Sequence, residues 1–217
     1  MGYVDKRFII MKDIVILGSG GFASEVEWLI ERINQNEKTW NFIGFVDQEK
    51  NAEKVIGDDQ WLINQKHPIY AVCAVGNAKL REKIISKISV NQQVSFPTLI
   101  DPSVIYSDSN FFGKGCIVCA SSIITVNAVI GNHVIINLDS TVGHSAILED
   151  YCTLYPSVNI SGNVNIRKNV EIGTGANIIQ GVKIGESTII GAGSVVVKDL
   201  PDNCTAVGAP AKPIKRH

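Results

Sequence analysis

The chain has 217 residues, of which 45% are hydrophobic and 19% charged, a composition that excludes an intrinsically disordered protein. Its 20 basic and 21 acidic residues leave a net charge of -1, which argues against a nucleic-acid partner. No apolar run reaches the roughly 18–20 residues of a membrane span, and the N-terminus does not read as a secretion signal. We therefore expect a cytoplasmic protein, and we assign no role to residues 1–10.

The first half of the chain alternates apolar and amphipathic segments. The predicted elements are, in order, a strand at 13–17, a helix at 24–34, a strand at 40–47, a strand at 69–75 and a helix at 77–88. Strands that alternate with helices predict a small parallel α/β unit of Rossmann-like type. We place this unit at residues 1–99.

A glycine-rich turn joins the first strand to the first helix. Gly18, Gly20 and Ala23 match G-x-G-x-x-G/A, in which N–H groups at a helix start bind phosphate. Asp47 ends the second strand, where an acid meets a ribose or base edge. The predicted nucleotide site consists of Gly18, Ser19, Gly20, Gly21, Phe22 and Asp47. The alternative is a glycine turn that only shapes the fold, whereas an NAD-dependent oxidoreductase would need more strands and a catalytic domain.

The second half repeats a six-residue pattern. Every sixth residue from Ile100 to Val196 is large and apolar. The residue directly after it is often glycine, and the fourth residue after it is small or β-branched. This period predicts a parallel β-helix with about 18 residues in each triangular coil. We expect both repeated positions to point inward, the glycines to supply an unusual φ, and no long loop between residues 112 and 196. The β-helix is placed at residues 100–217.

The cysteines and one histidine have ordinary interpretations. The five cysteines are predicted to be reduced thiols, with Cys116 and Cys152 pointing into the prism. Cys116 and Cys119 form a single C-x-x-C that lacks the second pair or the histidines of a zinc site, so we predict no metal. His133, three places after an inward residue, is predicted to lie on the solvated surface.

The hexad resembles that of the hexapeptide-repeat acyltransferases, and this resemblance implies a left-handed β-helix. The closing segment IGAGSVVVKDLPDNCTAVGAPAKPI is similar to the part of those enzymes that lies against acyl-CoA. With GSGGFASEV, GFVD and INLDSTVGHSAILEDYCTLYPSVNISGNVNI, it resembles the bacterial sugar acyltransferases, which include sialic-acid O-acetyltransferases and N-acetyltransferases of nucleotide-linked 4-amino sugars. The resemblance implies a homotrimeric, acetyl-CoA-dependent sugar acetyltransferase of surface-polysaccharide biosynthesis, with a nucleotide-linked 4-amino sugar as the favoured acceptor.

The resemblance also implies roles for individual residues. The family's general base matches His144 in TVGHSA, and histidine has the near-neutral pKa that this proton transfer needs. Gly162, 18 residues later, matches a glycine whose N–H faces the acetyl carbonyl. Asn137 matches a polar active-site position, although a turn asparagine is an equal alternative. The residues that the resemblance implies for binding acetyl-CoA, the acyl donor, are Gly162, Thr153, Thr174, Ala192, Ala209 and Lys212.

Three positions depart from the family pattern. Ser145 replaces the acid that often follows the base, Phe22 replaces a histidine of the glycine loop, and Thr153 replaces a second histidine. These departures leave open what orients His144 and which sugar is acylated, on N or on O. The alternatives are an O-acetyltransferase for a sialic-acid-like or other non-nucleotide acceptor, and an inactive nucleotide-binding or assembly module. A β-helix hydrolase of carbonic-anhydrase type would need three converging histidines, and the repeat contains two.

Overall fold

The computed structural model describes residues 11–49 and 53–217, so residues 1–10 lie outside the described part. The helices are α1 (Gly21–Asn36), α2 (Asp59–Ile63) and α3 (Ala78–Ile88). The strands of the first unit are β1 (Lys12–Leu17), β2 (Trp40–Val46), β3 (Val55–Gly57), β4 (Ile69–Cys73) and β5 (Val94–Ser95). Within these described ranges no helix has both the length and the apolar character to cross a bilayer.

The five strands of the first unit form one parallel sheet in the order β3-β2-β1-β4-β5. Alternation in the sequence predicted β1, β2, β4, α1 and α3. It missed β3, α2 and β5, which have five residues or fewer and therefore show no full period. Helix α1 begins at Gly21, earlier than predicted, so the glycine loop leads directly into its N-terminus. Because the strands are parallel, the carboxyl ends of β1, β2 and β4 meet at one edge.

The remaining strands follow at six-residue intervals and form three sheets, which we call faces 1, 2 and 3. Face 1 contains β6 (Leu99–Ile100), β9 (Ile117–Val118), β12 (Ile135–Ile136), β15 (Thr153–Leu154), β18 (Glu171–Ile172) and β21 (Ile189–Ile190), followed by the hairpin β23 (Cys204–Gly208) and β24 (Ala211–Arg216). Face 2 contains β7 (Ile105–Tyr106), β10 (Ile123–Ile124), β13 (Thr141–Val142), β16 (Asn159–Ile160), β19 (Asn177–Ile178) and β22 (Val195–Val196). Face 3 contains β8 (Phe111–Phe112), β11 (Val129–Ile130), β14 (Ile147–Leu148), β17 (Asn165–Ile166) and β20 (Lys183–Ile184).

Stacking in this second part confirms the predicted left-handed β-helix. Strands of one face pair in parallel with residues 18 apart in register, as Ile123 does with Thr141. Both predicted inward positions are buried; Ile124, the large residue of its hexad, and Ala128, the small one, are each 0% exposed. Strands recur at every hexad from residue 112 to residue 196, so the run is uninterrupted as expected.

The glycines of the hexad do not supply the corner conformation, and that expectation was wrong. The left-handed φ lies two residues further on, at positions such as Asn127 (56°), Asp139 (55°) and Ser145 (59°). Asparagine and aspartate tolerate this region because their short polar side chains bond locally. Glycine is needed for a different reason, since a Cβ on Gly143 would lie 2.6 Å from the amide nitrogen of Gly162 in the next coil. Glycine therefore allows coils to stack closely.

The first unit packs against face 1. The outward side chains of Ile117 and Ile135 join one buried apolar cluster with Ile14, Val26 and Leu29 of the first unit. Burial of such side chains stabilises the contact by about 25 cal/mol for each Å² of apolar surface removed from water. The contact places the first unit on one side of the prism, and the corner between faces 2 and 3 points away from it.

We predict that Ile178→Ala lowers the free energy of unfolding by about 2–5 kcal/mol, because Ile178 fills the closely packed prism. Asn177→Ala on the same strand is the matched control, since its side chain is exposed, and it should change stability by about 0.5 kcal/mol or less. Urea unfolding monitored by circular dichroism measures both values. Equal losses would contradict the inward and outward assignment.

Candidate functional site

A pocket of about 510 Å³ opens at the carboxyl edge of the sheet in the first unit. It is lined by Leu17, Gly18, Val46, Asp47, Gln48, Asp59, Val75, Leu80, Lys83, Ile84 and Lys87. Apolar side chains form most of the walls, and the charged lining residues are two aspartates and two lysines of α3, of which Lys87 pairs with Asp59 over 2.9 Å. Sequence reasoning identified Gly18 and Asp47 but missed Lys83 and Lys87, whose i, i+4 spacing on α3 was the available signal.

The glycine loop presents an open helix N-terminus beside this pocket. Gly18 adopts a φ of 96°, which favours glycine, and Gly20 precedes α1 without any side-chain cap. A Cβ built on Gly20 or Gly21 would meet nothing within 4 Å, so both residues border open space. The first turn of α1 carries no acidic residue, which leaves its N–H groups available to an anion. Phe22 instead packs its ring against the apolar cluster beneath α1.

Asp47 is held as an ionised acceptor at the edge of the pocket. The Ser19 hydroxyl donates to its Oδ2 over 2.7 Å, and the N–H of Glu49 donates to its Oδ1 over 3.2 Å. Partial burial acts to raise the pKa of Asp47, but these hydrogen bonds and one from the N–H of Gln48 outweigh it and hold the pKa below its ordinary value. The carboxylate can therefore accept hydrogen bonds from hydroxyl or amine donors.

His144 lies at the corner between faces 2 and 3, outside the prism and exposed. Its carbonyl accepts a hydrogen bond from the N–H of Asn163 over 2.8 Å, and the N–H of Ser145 donates to the carbonyl of Val126 over 3.0 Å. These bonds tie the corner to the coils before and after it. These bonds fix the backbone at His144, and Nε2 of its imidazole lies beside Gly162 of the next coil.

Gly162 lies directly next to His144 in the following coil. A Cβ built on Gly162 would lie 2.4 Å from Nε2 of His144, so any other residue at this position would force the imidazole to move. Among residues 11–49 and 53–217, the amide of Gly162 donates to no recorded acceptor. The corner therefore combines an exposed imidazole with an unpaired backbone N–H, two groups that general-base catalysis and oxyanion stabilisation use in other enzymes.

The other residues matched to the family lie at a different corner. Asn137 lies between β12 and β13, at the opposite end of face 2 from His144, and its Oδ1 accepts the N–H of Leu138 over 2.7 Å. Thr174 and Ala192 lie at this same corner in later coils. Ala209 and Lys212 belong to the terminal hairpin. One chain thus keeps His144 and Gly162 apart from the remaining predicted residues.

Thr153 does not belong to a site for acetyl-CoA, and its assignment to the residues that bind this acyl donor was wrong. Its side chain is 1% exposed on face 1, underneath the first unit. The hydroxyl donates to the carbonyl of Gly76 over 2.7 Å and accepts from Arg81 over 2.9 Å. An interior contact between the two units therefore occupies this residue.

His133 is buried, which overturns its predicted place on the solvated surface. It is 2% exposed, its ring stacks on Tyr151 at 5.3 Å between centroids, and it meets Phe96 edge-on at 5.2 Å. Its Nε2 atom is buried with no partner among the described residues. Desolvation, aided by the positive charges of Lys114 and Arg81, lowers the pKa of His133 to about 4. Sequence periodicity does not say which corner the first unit will cover.

A family model described as the PglD N-terminal domain matches residues 13–88. PerB from Caulobacter crescentus, solved with CoA and GDP-perosamine, is similar over 95% of this chain and 99% of its own, with 34% identity and a TM-score of 0.85. The acetyltransferase domain of PglB from Neisseria gonorrhoeae, solved with acetyl coenzyme A, is similar over 94% of this chain and 100% of its own, with 29% identity and a TM-score of 0.83.

WeeI from Acinetobacter baumannii is similar over 94% of this chain and 100% of its own, with 28% identity and a TM-score of 0.84. The chain spans about a third or less of the curated acetyltransferases that it matches. The serine acetyltransferase of Synechococcus elongatus, for example, is 36% identical over 83 residues, which is 34% of that protein.

We predict a pH dependence of stability from His133. With a folded pKa of about 4 and an ordinary value of 6.5, the unfolded chain binds the proton first on acidification. Neutral His133 makes its full contribution to the free energy of unfolding above about pH 6.5. This contribution, on the order of 3 kcal/mol, is lost as the pH falls toward about 4. His133→Asn, which tolerates the φ of 55° at this corner, should remove this component from urea-unfolding curves measured between these pH values. An unchanged pH profile in the variant would contradict the assignment.

Proposed function

This chain belongs to the hexapeptide-repeat sugar acetyltransferases that carry a PglD N-terminal domain, and from that premise we propose that it transfers the acetyl group of acetyl-CoA to a nucleotide-linked 4-amino sugar used in surface polysaccharide. One observation carries the proposal: the chain holds a glycine loop at an uncapped helix N-terminus beside a pocket and, separately, an imidazole beside an unpaired N–H. PerB, with 34% identity, was solved with CoA and GDP-perosamine, which supports both substrates.

The acceptor's nucleotide is assigned to the first unit. Its diphosphate would lie against the N–H groups of Gly20 and Gly21, where Cβ atoms are absent and the helix dipole is positive. The nucleobase would enter the pocket between its apolar walls. The carboxylate of Asp47 would accept a hydrogen bond from a ribose hydroxyl. Lys83 adds a positive charge at the rim of this pocket.

Transfer is proposed to be direct. His144 removes a proton from the acceptor amine as its nitrogen bonds to the acetyl carbon, and the N–H of Gly162 stabilises the oxyanion. When the C–S bond breaks, the imidazolium returns the proton to the sulfur, so that CoA leaves as a thiol. An acyl-enzyme finds no support, because all five cysteines are buried and burial raises the pKa of Cys152 to about 12.

The site is proposed to form between copies of the chain. His144 projects from the corner opposite face 1, whereas the nucleotide pocket belongs to the unit packed on face 1. Exposed apolar side chains cover the first coils on faces 2 and 3, namely Ile105, Phe111, Ile123, Val126, Val129 and Ile147. Val126 precedes His144 by one coil, so this apolar surface reaches the catalytic corner.

We assign this surface to a closed homotrimer. In a C3 ring, the corner of His144 in one copy meets the next copy, and the donor groove lies between them. His144 and Gly162 would form one wall of that groove. The second wall would come from the neighbouring copy and consist of Asn137, Thr174, Ala192, Ala209 and Lys212.

A thiol-release assay with acetyl-CoA and a panel of sugars tests the function. Turnover with nucleotide-linked 4-amino sugars, and N-acetyl product by mass spectrometry, is the expected result. Turnover only with free or neutral sugars would favour an O-acetyltransferase, an alternative motivated by Phe22 in place of a glycine-loop histidine. Absence of turnover with every sugar would leave the inactive nucleotide-binding module.

We predict that His144→Ala lowers kcat by about 10²–10⁴, the usual cost of losing a positioned base, and leaves acetyl-CoA affinity nearly unchanged. Steady-state kinetics and calorimetric titration of acetyl-CoA measure the two quantities. Cys119→Ala is the control, since this buried thiol has a pKa near 12 and takes no part in transfer. A stable acetylated protein, or near-normal kcat in His144→Ala, would overturn the mechanism.

We predict that two inactive variants restore activity when assembled together. Gly20→Val blocks the phosphate site without an internal clash, because a Cβ there meets nothing within 4 Å. His144→Ala removes the base. If the loop and the base of one site come from neighbouring copies, random trimers from an equimolar mixture refolded together should recover about a quarter of the sites. No recovery in mixtures shown by mass spectrometry to contain heterotrimers would contradict a shared site.

A further inference from the structure

Helix α3 joins the nucleotide pocket to the prism. Leu80 and Lys83 line the pocket, whereas Arg81 is 1% exposed and faces the β-helix. Glu82 accepts hydrogen bonds from Lys168 and Asn169 of the prism. A single helix therefore contacts the pocket with one side and the prism with the other.

The guanidinium of Arg81 bonds to both units at once. On the first unit it donates through Nη1 to the carbonyls of Val75 and Gly76, over 2.6 and 3.0 Å. Val75 itself lines the pocket. On the prism, Nε donates to the carbonyl of His133 over 3.0 Å, and Nη2 donates to that of Tyr151 over 2.6 Å.

Thr153 completes this arrangement. Arg81 Nη2 donates to the Thr153 hydroxyl over 2.9 Å and to the carbonyl of Cys152 over 3.2 Å. The same hydroxyl donates to the carbonyl of Gly76 over 2.7 Å, so Thr153 and Arg81 bind the same loop at the pocket edge. His133 and Tyr151 are one coil apart, and His144 lies between them along the chain, so the contacts of Arg81 straddle the level of His144.

The N-terminus of α3 has its own attachment. Glu171 accepts the N–H of Ala78 over 3.0 Å and the side-chain amide of Asn77 over 2.9 Å. Tyr155 donates its hydroxyl to the second oxygen of Glu171 over 3.2 Å. Residues 77, 78, 81 and 82 thus all bond to the prism. These bonds fix the position of α3 along the prism axis and its rotation about its own axis.

Burial of a guanidinium is a costly way to join two units. Desolvation of a charge opposes its attractive contacts, and apolar packing of similar volume often stabilises at least as well. The planar guanidinium instead supplies geometry, because its N–H groups point in fixed directions that a lysine ammonium cannot match. The contacts of Arg81 therefore favour alignment over stability as its role.

We propose that Arg81, together with Thr153, is a positioning residue that holds the nucleotide pocket at the level of the His144 coil, so that the sugar of the acceptor reaches the acetyl carbon. This inference rests on the proposed function. A ring whose axis runs along the prisms keeps equivalent coils of all copies at one height. A pocket fixed to this coil in one copy then stands level with His144 of the next copy.

The test compares Arg81→Lys, Thr153→Val and Thr153→Ser with the wild-type protein. We expect kcat with the nucleotide-linked acceptor to fall about 10²-fold in Arg81→Lys and about tenfold in Thr153→Val, because small misplacements of reacting atoms are that costly. Thr153→Ser retains the hydroxyl and should stay within about twofold of wild type. Arg167→Lys, at an ion pair with Glu149 on the prism surface, is the matched control and should leave kcat unchanged.

Two further measurements separate positioning from folding. The inhibition constants of GDP and UDP, and the KM of acetyl-CoA, should remain at wild-type values in every variant that folds. Weakened inhibition together with a lower melting temperature, or an unchanged kcat in Arg81→Lys and Thr153→Val, would overturn the inference. If Arg81→Lys does not fold, the Thr153 pair decides. A wild-type protein that acetylates no nucleotide-linked sugar and binds neither GDP nor UDP in calorimetric titration would instead overturn the proposed function.

Discussion

Parallel hydrogen bonding between residues 18 apart is the constraint on which the rest of the structure depends. Because each coil repeats the path of the one before it, every corner becomes a column of equivalent residues. His144 and Gly162 are neighbours only through this register, and the absence of a Cβ at Gly162 leaves the imidazole its present place. The spacing that packs the prism thereby places the imidazole of His144 beside the amide of Gly162.

The second determinant is the choice of covered face. The first unit buries Ile117 and Ile135 on face 1, and this choice places Thr153 and His133 in the interior. It also directs the corner of His144 to the far side. Since the pocket of the first unit and His144 lie on opposite sides of one chain, the proposed site would need a second copy of the chain. The exposed apolar side chains of faces 2 and 3 fit that requirement.

Helix α3 connects the pocket of the first unit to the prism. Its outer side borders the pocket, and its inner side bonds to the prism through Arg81 and Glu82. Most of the acceptors are main-chain carbonyls, which side-chain substitutions elsewhere do not displace. The arrangement is therefore robust to surface changes while depending closely on a few buried polar groups.

The sequence by itself determined the β-helix, the inward columns, the glycine loop and the neighbouring places of His144 and Gly162, because all of these follow from fixed local periods of two, six and 18 residues. It did not determine which face the first unit would cover. Period alone treats the three faces as equivalent, so His133 was predicted to be solvated and Thr153 was assigned to the donor site. Only tertiary packing broke that equivalence, because the apolar side chains of one face had to match those of α1 and its sheet. Arg81 became buried through the same contact, and no local pattern in α3 distinguishes it from a solvated arginine.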